Sequence, residues 1–142
     1  MRKIVASVFS LALLGLPVAA LAESHWPANA RVYFIEPANG AVIDGKVAVK
    51  FGLSGLGVAP AGCDKPNTGH HHLLIDAAAP TGDQLNQPLP SNANVRHFGG
   101  GQTEAVLDLP HGKHSLQLIL GDANHIPHDP PLESDKIEIE VK

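Results

Sequence analysis

The chain has 142 residues, enough for one domain and too few for two ordinary ones. Ten Lys and Arg stand against 14 Asp and Glu, a formal net charge of −4, which argues against the basic footprint a nucleic-acid binder needs for phosphates. With 17% charged and 44% apolar residues, a charge-driven disordered chain is excluded as well.

The first segment reads as an address. Arg2 and Lys3 precede an almost wholly apolar run, Ile4 to Ala20, that closes on Ala20-Leu21-Ala22. A positive start, an apolar stretch and an A-x-A ending describe a secretory signal peptide over residues 1–22, cleaved after Ala22. Gly15 and Pro17 interrupt the run, which is too short to span a bilayer convincingly. Cleavage removes Arg2 and Lys3, leaving 8 basic and 14 acidic residues, net −6. The expected product is an acidic, exported protein, most simply periplasmic, with no later membrane span. It has a short N-terminal segment over 23–30 and one domain over 31–142.

Along that domain, Arg31 to Glu36 is rich in β-branched and aromatic residues, and Pro37-Ala-Asn-Gly40 is a turn. Val42-Ile43 is a short pairing segment, and Lys46 to Leu53 alternates as a strand. Ser54 to Gly69, with four Gly and two Pro, reads as a loop. His70 to Asp76 is a compact apolar run. Ala77 to Gly101 is a long Pro- and Gly-rich connection with a short strand near 94–98. Thr103 to Leu109 and Lys113 to Leu120 alternate around the turn Pro110-His111-Gly112. Gly121 to Ser134 is a Pro- and His-rich loop, and Lys136 to Val141 closes with strict alternation. No segment carries ten residues of helical periodicity. About seven short strands predict an all-β fold, a single immunoglobulin-like β-sandwich, with a small β-barrel or jelly roll as the alternative.

Nine His and one Cys direct attention to imidazole chemistry. In such a sandwich the connections that deliver His70-His71-His72, His97 and His125-Ile-Pro-His128 gather at one end. Strand alternation puts His70 and His72 on one face and His71 on the other. Neutral imidazole suits zinc, copper and nickel. The expected metal ligands are therefore His70, His72, His97, His125 and His128, with Cys63 and His25 as outliers. Cys63 has no partner cysteine and fits a packed thiol as well as a ligand. After cleavage behind Ala22 the chain begins Glu23-Ser24-His25. Its amine, two amides and an imidazole form the four-nitrogen set preferred by Cu(II) and Ni(II). His71 and His114 lie on apolar faces and read as structural rings bonded to nearby carbonyls. Asp76 and Glu104 fit strand ends as well as general bases. Gly99-Gly-Gly101 lacks the Lys-Ser/Thr and the helix of a phosphate loop, and marks a close backbone approach instead. No nucleophile elbow is present, and no enzyme signature stands out.

The runs Thr68-Gly-His-His-His-Leu-Leu-Ile-Asp76, His97-Phe-Gly-Gly-Gly-Gln-Thr-Glu104, Leu109-Pro-His-Gly-Lys-His-Ser-Leu-Gln-Leu118 and Gly121-Asp-Ala-Asn-His-Ile-Pro-His-Asp-Pro-Pro131 together resemble the bacterial exported family catalogued as domain of unknown function 4399. The resemblance covers most of 31–142 and implies an exported single-domain β protein, without an activity. A fainter similarity, through Glu36-Pro-Ala-Asn-Gly40 and the strand after it, links the chain to periplasmic copper-carrier sandwiches of the copper-resistance C type. It implies copper and N-terminal His ligands, and ends beyond that opening.

The expected function is a periplasmic carrier, buffer or sensor of copper or zinc. Its partners are the metal ion and another envelope protein. Two other readings stay open: a metal-free envelope interaction or assembly module, and a metal-dependent hydrolase or isomerase at the same pole.

Overall fold

The computed structural model describes residues 25–142; the expected signal peptide, its cleavage point and Glu23-Ser24 lie outside them. Nine strands follow in order: β1 (Arg31–Glu36), β2 (Ala41–Ile43), β3 (Val47–Ser54), β4 (Gly57–Val58), β5 (Thr68–Ile75), β6 (Val95–His97), β7 (Glu104–Leu107), β8 (Gly112–Gly121) and β9 (Ile137–Val141). A single 3-10 turn over Gly82–Asn86 is the sole helical element among the described residues. No helix there is long and apolar enough to cross a membrane.

The strands form a three-stranded sheet, β1-β3-β7, and a six-stranded sheet, β2-β9-β8-β5-β4, in which β6 also pairs with β5. This separates β1, β3 and β7 from β5, β8 and β9, as an immunoglobulin-type sandwich separates its A, B and E strands from C, F and G. The two strands beyond the expected seven are short and parallel. β2 pairs with β9 after the Pro37–Gly40 turn moves the chain to the other sheet, and β4 pairs with the start of β5 inside the expected 54–69 loop. The short strand expected near 94–98 is β6, set against β5 with His72 opposite His97.

Alternation explains the inter-sheet core. Val47, Val49 and Phe51 of β3 and Ile137, Ile139 and Val141 of β9 point inward, while Lys50 and Glu138 stay outside. They pack with Val32, Leu73, Ile75, Leu107, Leu116 and Leu118. Removing this apolar surface from water is the main stabilising contribution.

β5 and the second half of β8 are buried on both faces, so alternation there loses its meaning. The outer face of the larger sheet carries a second, small core of Leu74, Leu89, Val95 and Ile119. The long connection after β5 covers it, anchored by buried Leu85 and Leu89. That connection also bonds to the loop after β8. The Leu89 amide donates to the His125 carbonyl and the His128 amide to the Leu85 carbonyl, both at 2.9 Å.

At the far end of β5, Asp76 and His114 form a brace. His114 Nδ1 lies 2.7 Å from Asp76 Oδ2, and Nε2 lies 2.8 Å from the Pro110 carbonyl. Asp76 Oδ1 also accepts from the Ser115 amide. The structural role expected of His114 therefore has a specific partner set. Asp76 is a strand-end residue whose carboxylate is already engaged.

Candidate metal centre

β5 sets the site. His71 turns into the inter-sheet core, where its ring lies 5.1 Å from that of Phe51. His70 and His72 turn the other way, on the outer face of the six-stranded sheet. The histidine cluster thus differs from the expectation in one respect. It lies on a sheet face roofed by loops, not over the open end of the sandwich.

β6 contributes His97 directly across from His72. The loop after β8 contributes His125, in the left-handed backbone region at φ 68°. Asp122 holds that loop in shape: its Oδ1 accepts from the amides of Asn124 and Ile126, and its carbonyl accepts from the His125 amide at 2.9 Å. The short Asp side chain replaces missing backbone partners, as in an Asx turn. Backbone bonds from Ala61 to Gly99 and from Gly62 to Ala123 tie the three converging connections together.

Ligand nitrogens of His70, His72 and His97 all lie within 4.8 Å of one another. The His125 ring stands beside these three as a fourth neighbour by ring position, outside the set whose ligand nitrogens all lie within 4.8 Å. The six separations between ring centroids run from 4.7 to 5.9 Å. A tetrahedral ion about 2.05 Å from each nitrogen, with each ring centre about 1.2 Å further out, would hold the centroids about 5.2 Å apart. A square-planar set would stretch two of the six separations to about 1.4 times the others. The largest separation, 5.9 Å, is His72–His125, and the smallest, 4.7 Å, is His97–His125, so the group is closer to a tetrahedron.

His70 and His72 are 0% exposed. Both nitrogens of each, and Nε2 of His97, are buried without a hydrogen-bond partner in the protein. Buried polar atoms normally have one, and each orphan costs about 1–3 kcal/mol. Burial, reinforced by the neighbouring rings, pushes the His70 pKa down to about 4 and that of His72 to about 3. His97 is lowered by burial and then by His125. Clustered imidazoles kept neutral present lone pairs, the form a metal requires. His71 is a useful contrast. Its two nitrogens are likewise buried without a hydrogen-bond partner, so the carbonyl bond expected of it is not formed. Burial lowers it to about 4, and what sets it apart is that its ring packs against Phe51 in the inter-sheet core and not among the other imidazoles.

The remaining expected ligands separate from the four. His128 and His25 meet Asp122 instead, and ligand atoms of these three lie within 4.8 Å of one another. His128 Nε2 is 2.8 Å from Asp122 Oδ2. Cys63 is exposed and lines the groove beside His25. The N-terminal amine chelate falls on residues 23 and 24, outside those described.

Three contributors carried weaker sequence signals. Trp26, 4% exposed, anchors the N-terminal segment by donating from Nε1 to the Pro127 carbonyl at 2.7 Å. An isolated Trp before the first strand was the only clue. Gly121 lies against the His72 ring, and a methyl group there would come within 2.8 Å of Cε1. A methyl group at Gly99 would collide with the His97 imidazole, which is the close approach expected of that glycine run.

The family described as Domain of unknown function (DUF4399) matches residues 49–142. The chain belongs to it. The DUF4399 span contains all four clustered histidines together with Asp122 and His128, whereas His25 and Trp26 precede it. No curated protein and no solved structure matches the chain.

Proposed function

We propose that this DUF4399 protein is an exported transition-metal carrier or buffer that holds one ion on His70, His72, His97 and His125. The observation that carries the reading is the set of orphaned, buried imidazole nitrogens on His70 and His72, facing two further imidazoles at tetrahedral spacing. A shared ion would satisfy one nitrogen on each of these rings that the protein itself leaves unpaired.

Tetrahedral spacing and four imidazole donors favour Zn(II) among the common divalent ions. Copper is the second candidate. Four protein donors close the coordination shell and leave no position for water or substrate. That supports carriage, buffering or sensing over hydrolysis or isomerisation. Export to the periplasm rests on Arg2-Lys3, the apolar run and Ala20-Leu21-Ala22.

The test is a competition titration of the processed protein with Zn(II) and Cu(II), alongside His70→Ala and His125→Ala. Tight binding that falls at least about 100-fold in each variant supports the reading; a loss of that size is about 2.7 kcal/mol. Binding no tighter in the wild type than in both variants overturns it and leaves the metal-free envelope module.

A further inference from the structure

Beside the buried cluster lies a second donor group that the four-histidine site does not use. His25, Asp122 and His128 come from opposite ends of the chain, and one ligand atom from each lies within 4.8 Å of the others. Trp26 is what brings them together. Its buried indole bonds to the Pro127 carbonyl, and its ring packs edge-on against His25 at 4.7 Å and His128 at 5.8 Å. The His25 and His128 rings stack in parallel, 3.6 Å apart. His25 is exposed, while Asp122 and His128 are half-buried, so the group faces solvent along one side.

Asp122 connects this group to the buried one. It sits at the root of the turn that carries His125, and its negative charge is felt at both His25 and His70. One carboxylate and two imidazoles form a mixed oxygen–nitrogen set suited to Zn(II), Cu(II) or Ni(II). The hydrogen on the His128 Nε2–Asp122 Oδ2 line occupies the position an ion would take. Insertion of an ion there requires that hydrogen to move to Nδ1 and the His25 ring to turn out of its stack.

We propose that His25, Asp122 and His128 form a second, solvent-facing divalent-cation site that captures an ion and passes it to the buried histidines. The loading role rests on the buried-site reading; the existence of the second site does not. The four imidazoles are roofed by loops, and an ion entering them must shed its water. A partly hydrated stop on the same loop replaces those waters in stages. Asp122 supplies the anion that attracts the ion, and the His125 backbone bonded to it supplies a direct route inward.

The experiment is Zn(II) and Co(II) titration of the processed protein by calorimetry, with stopped-flow measurement of loading. It is repeated on His25→Gln, His128→Gln and His70→Ala, with His111→Ala as an exposed control elsewhere. Circular dichroism and thermal melting verify that each variant is folded. The expected result is two ions in the wild type and one in each of the three site variants. In His25→Gln and His128→Gln the remaining ion keeps its affinity but loads at least tenfold more slowly. A chain carrying extra residues before Glu23 should retain both ions, because the donors are side chains. Loss of the second ion in that extended chain assigns it to the terminal amine and overturns the proposal. One ion in the wild type, loading at the same rate in His25→Gln, also overturns it while leaving the buried site standing. An ion lost in His25→Gln and His128→Gln, with none lost in His70→Ala, keeps the second site but overturns both the loading role and the buried-site reading.

Discussion

His72 and His97 stand opposite each other across the β5–β6 pair, ring centroids 5.1 Å apart, and three of their four nitrogens are buried with no hydrogen-bond partner in the protein. A pair placed there for stability alone would be a poor choice. An apolar pair would fill the same space without orphaned nitrogens. His72→Leu should therefore leave the metal-free protein unchanged or up to about 2 kcal/mol more stable. The same change should remove the stabilisation that metal confers, which at 100 times the dissociation constant is about 2.7 kcal/mol. Urea unfolding with a chelator and with Zn(II) reads both numbers. Destabilisation of the chelated protein by several kcal/mol would identify His72 as a packing residue instead.

Acid should weaken the metal-free fold. His70 and His71 titrate near 4 and His72 near 3, all below the ordinary histidine value of 6.5. Between those values and 6.5 the unfolded chain binds protons that the folded chain refuses, so stability falls as pH falls. Each of these rings contributes about 1.4 kcal/mol per pH unit through that window. Thermal melts of the chelated protein should drop steeply from pH 7 to pH 5. A bound ion should raise stability across pH 7 to pH 5 without flattening the slope, because the folded rings already refuse protons there and an ion on their nitrogens keeps them unprotonated.

Much of this site was legible in the sequence because strand period and loop placement are strict rules. Alternation separated His71 from His70 and His72, and sandwich topology brought His97 and His125 to them. Two things were not legible. The first is the face: β5 is apolar on both sides, so its pattern cannot say which side holds the inter-sheet core, and the loop after β5 decides by covering Leu74 with Leu89. The second is the division of the outer histidines. His125 and His128 are three apart, but Asp122 accepts from the His128 ring, which stacks on His25, while the His125 ring turns toward His70, His72 and His97. That division depends on one side-chain hydrogen bond and on Trp26, contacts with no period to betray them. β2 and β4, three and two residues long, escaped full recognition because so short a strand carries no alternation.

The brace at the other end should respond to pH in the opposite direction. The Asp76 hydrogen bond, helped by the Pro110 carbonyl, raises the His114 pKa. Its contribution is complete below the unfolded value of 6.5 and is lost as pH rises through the raised folded value. Asp76 is lowered, its hydrogen bonds outweighing burial, so its own contribution disappears in acid as pH falls through that lowered value. With the Asp76 side chain 43% exposed, solvent screening limits the pair to about 1 kcal/mol. His114→Gln should cost about that much at pH 5.5 and less at pH 8.5, measured as the difference in urea midpoint at the two pH values. An equal cost at both would mean that the ring acts through packing and not through charge.

Gly121 offers a way to perturb the proposed metal centre without changing any of its four histidines. It pairs with His70 across β5 and β8, and its missing side chain leaves room for the His72 ring. A methyl group there would lie 2.8 Å from His72 Cε1 and 3.2 Å from the Cα of His125. The first contact is too short to persist, and His72, enclosed by three other imidazoles, has no free space to enter. Gly121→Ala should therefore displace His72 from the tetrahedron and weaken metal binding at least about tenfold, or about 1.4 kcal/mol, with all four ligands still present. Gly57→Ala is the matched control. Its methyl group would meet Thr68 Cγ2 at 3.4 Å and the Asn67 carbonyl at 4.0 Å, ordinary contacts, and binding should be unchanged. Equal affinity in the two variants would mean that His72 is not held in place by β8 and contributes little to the site.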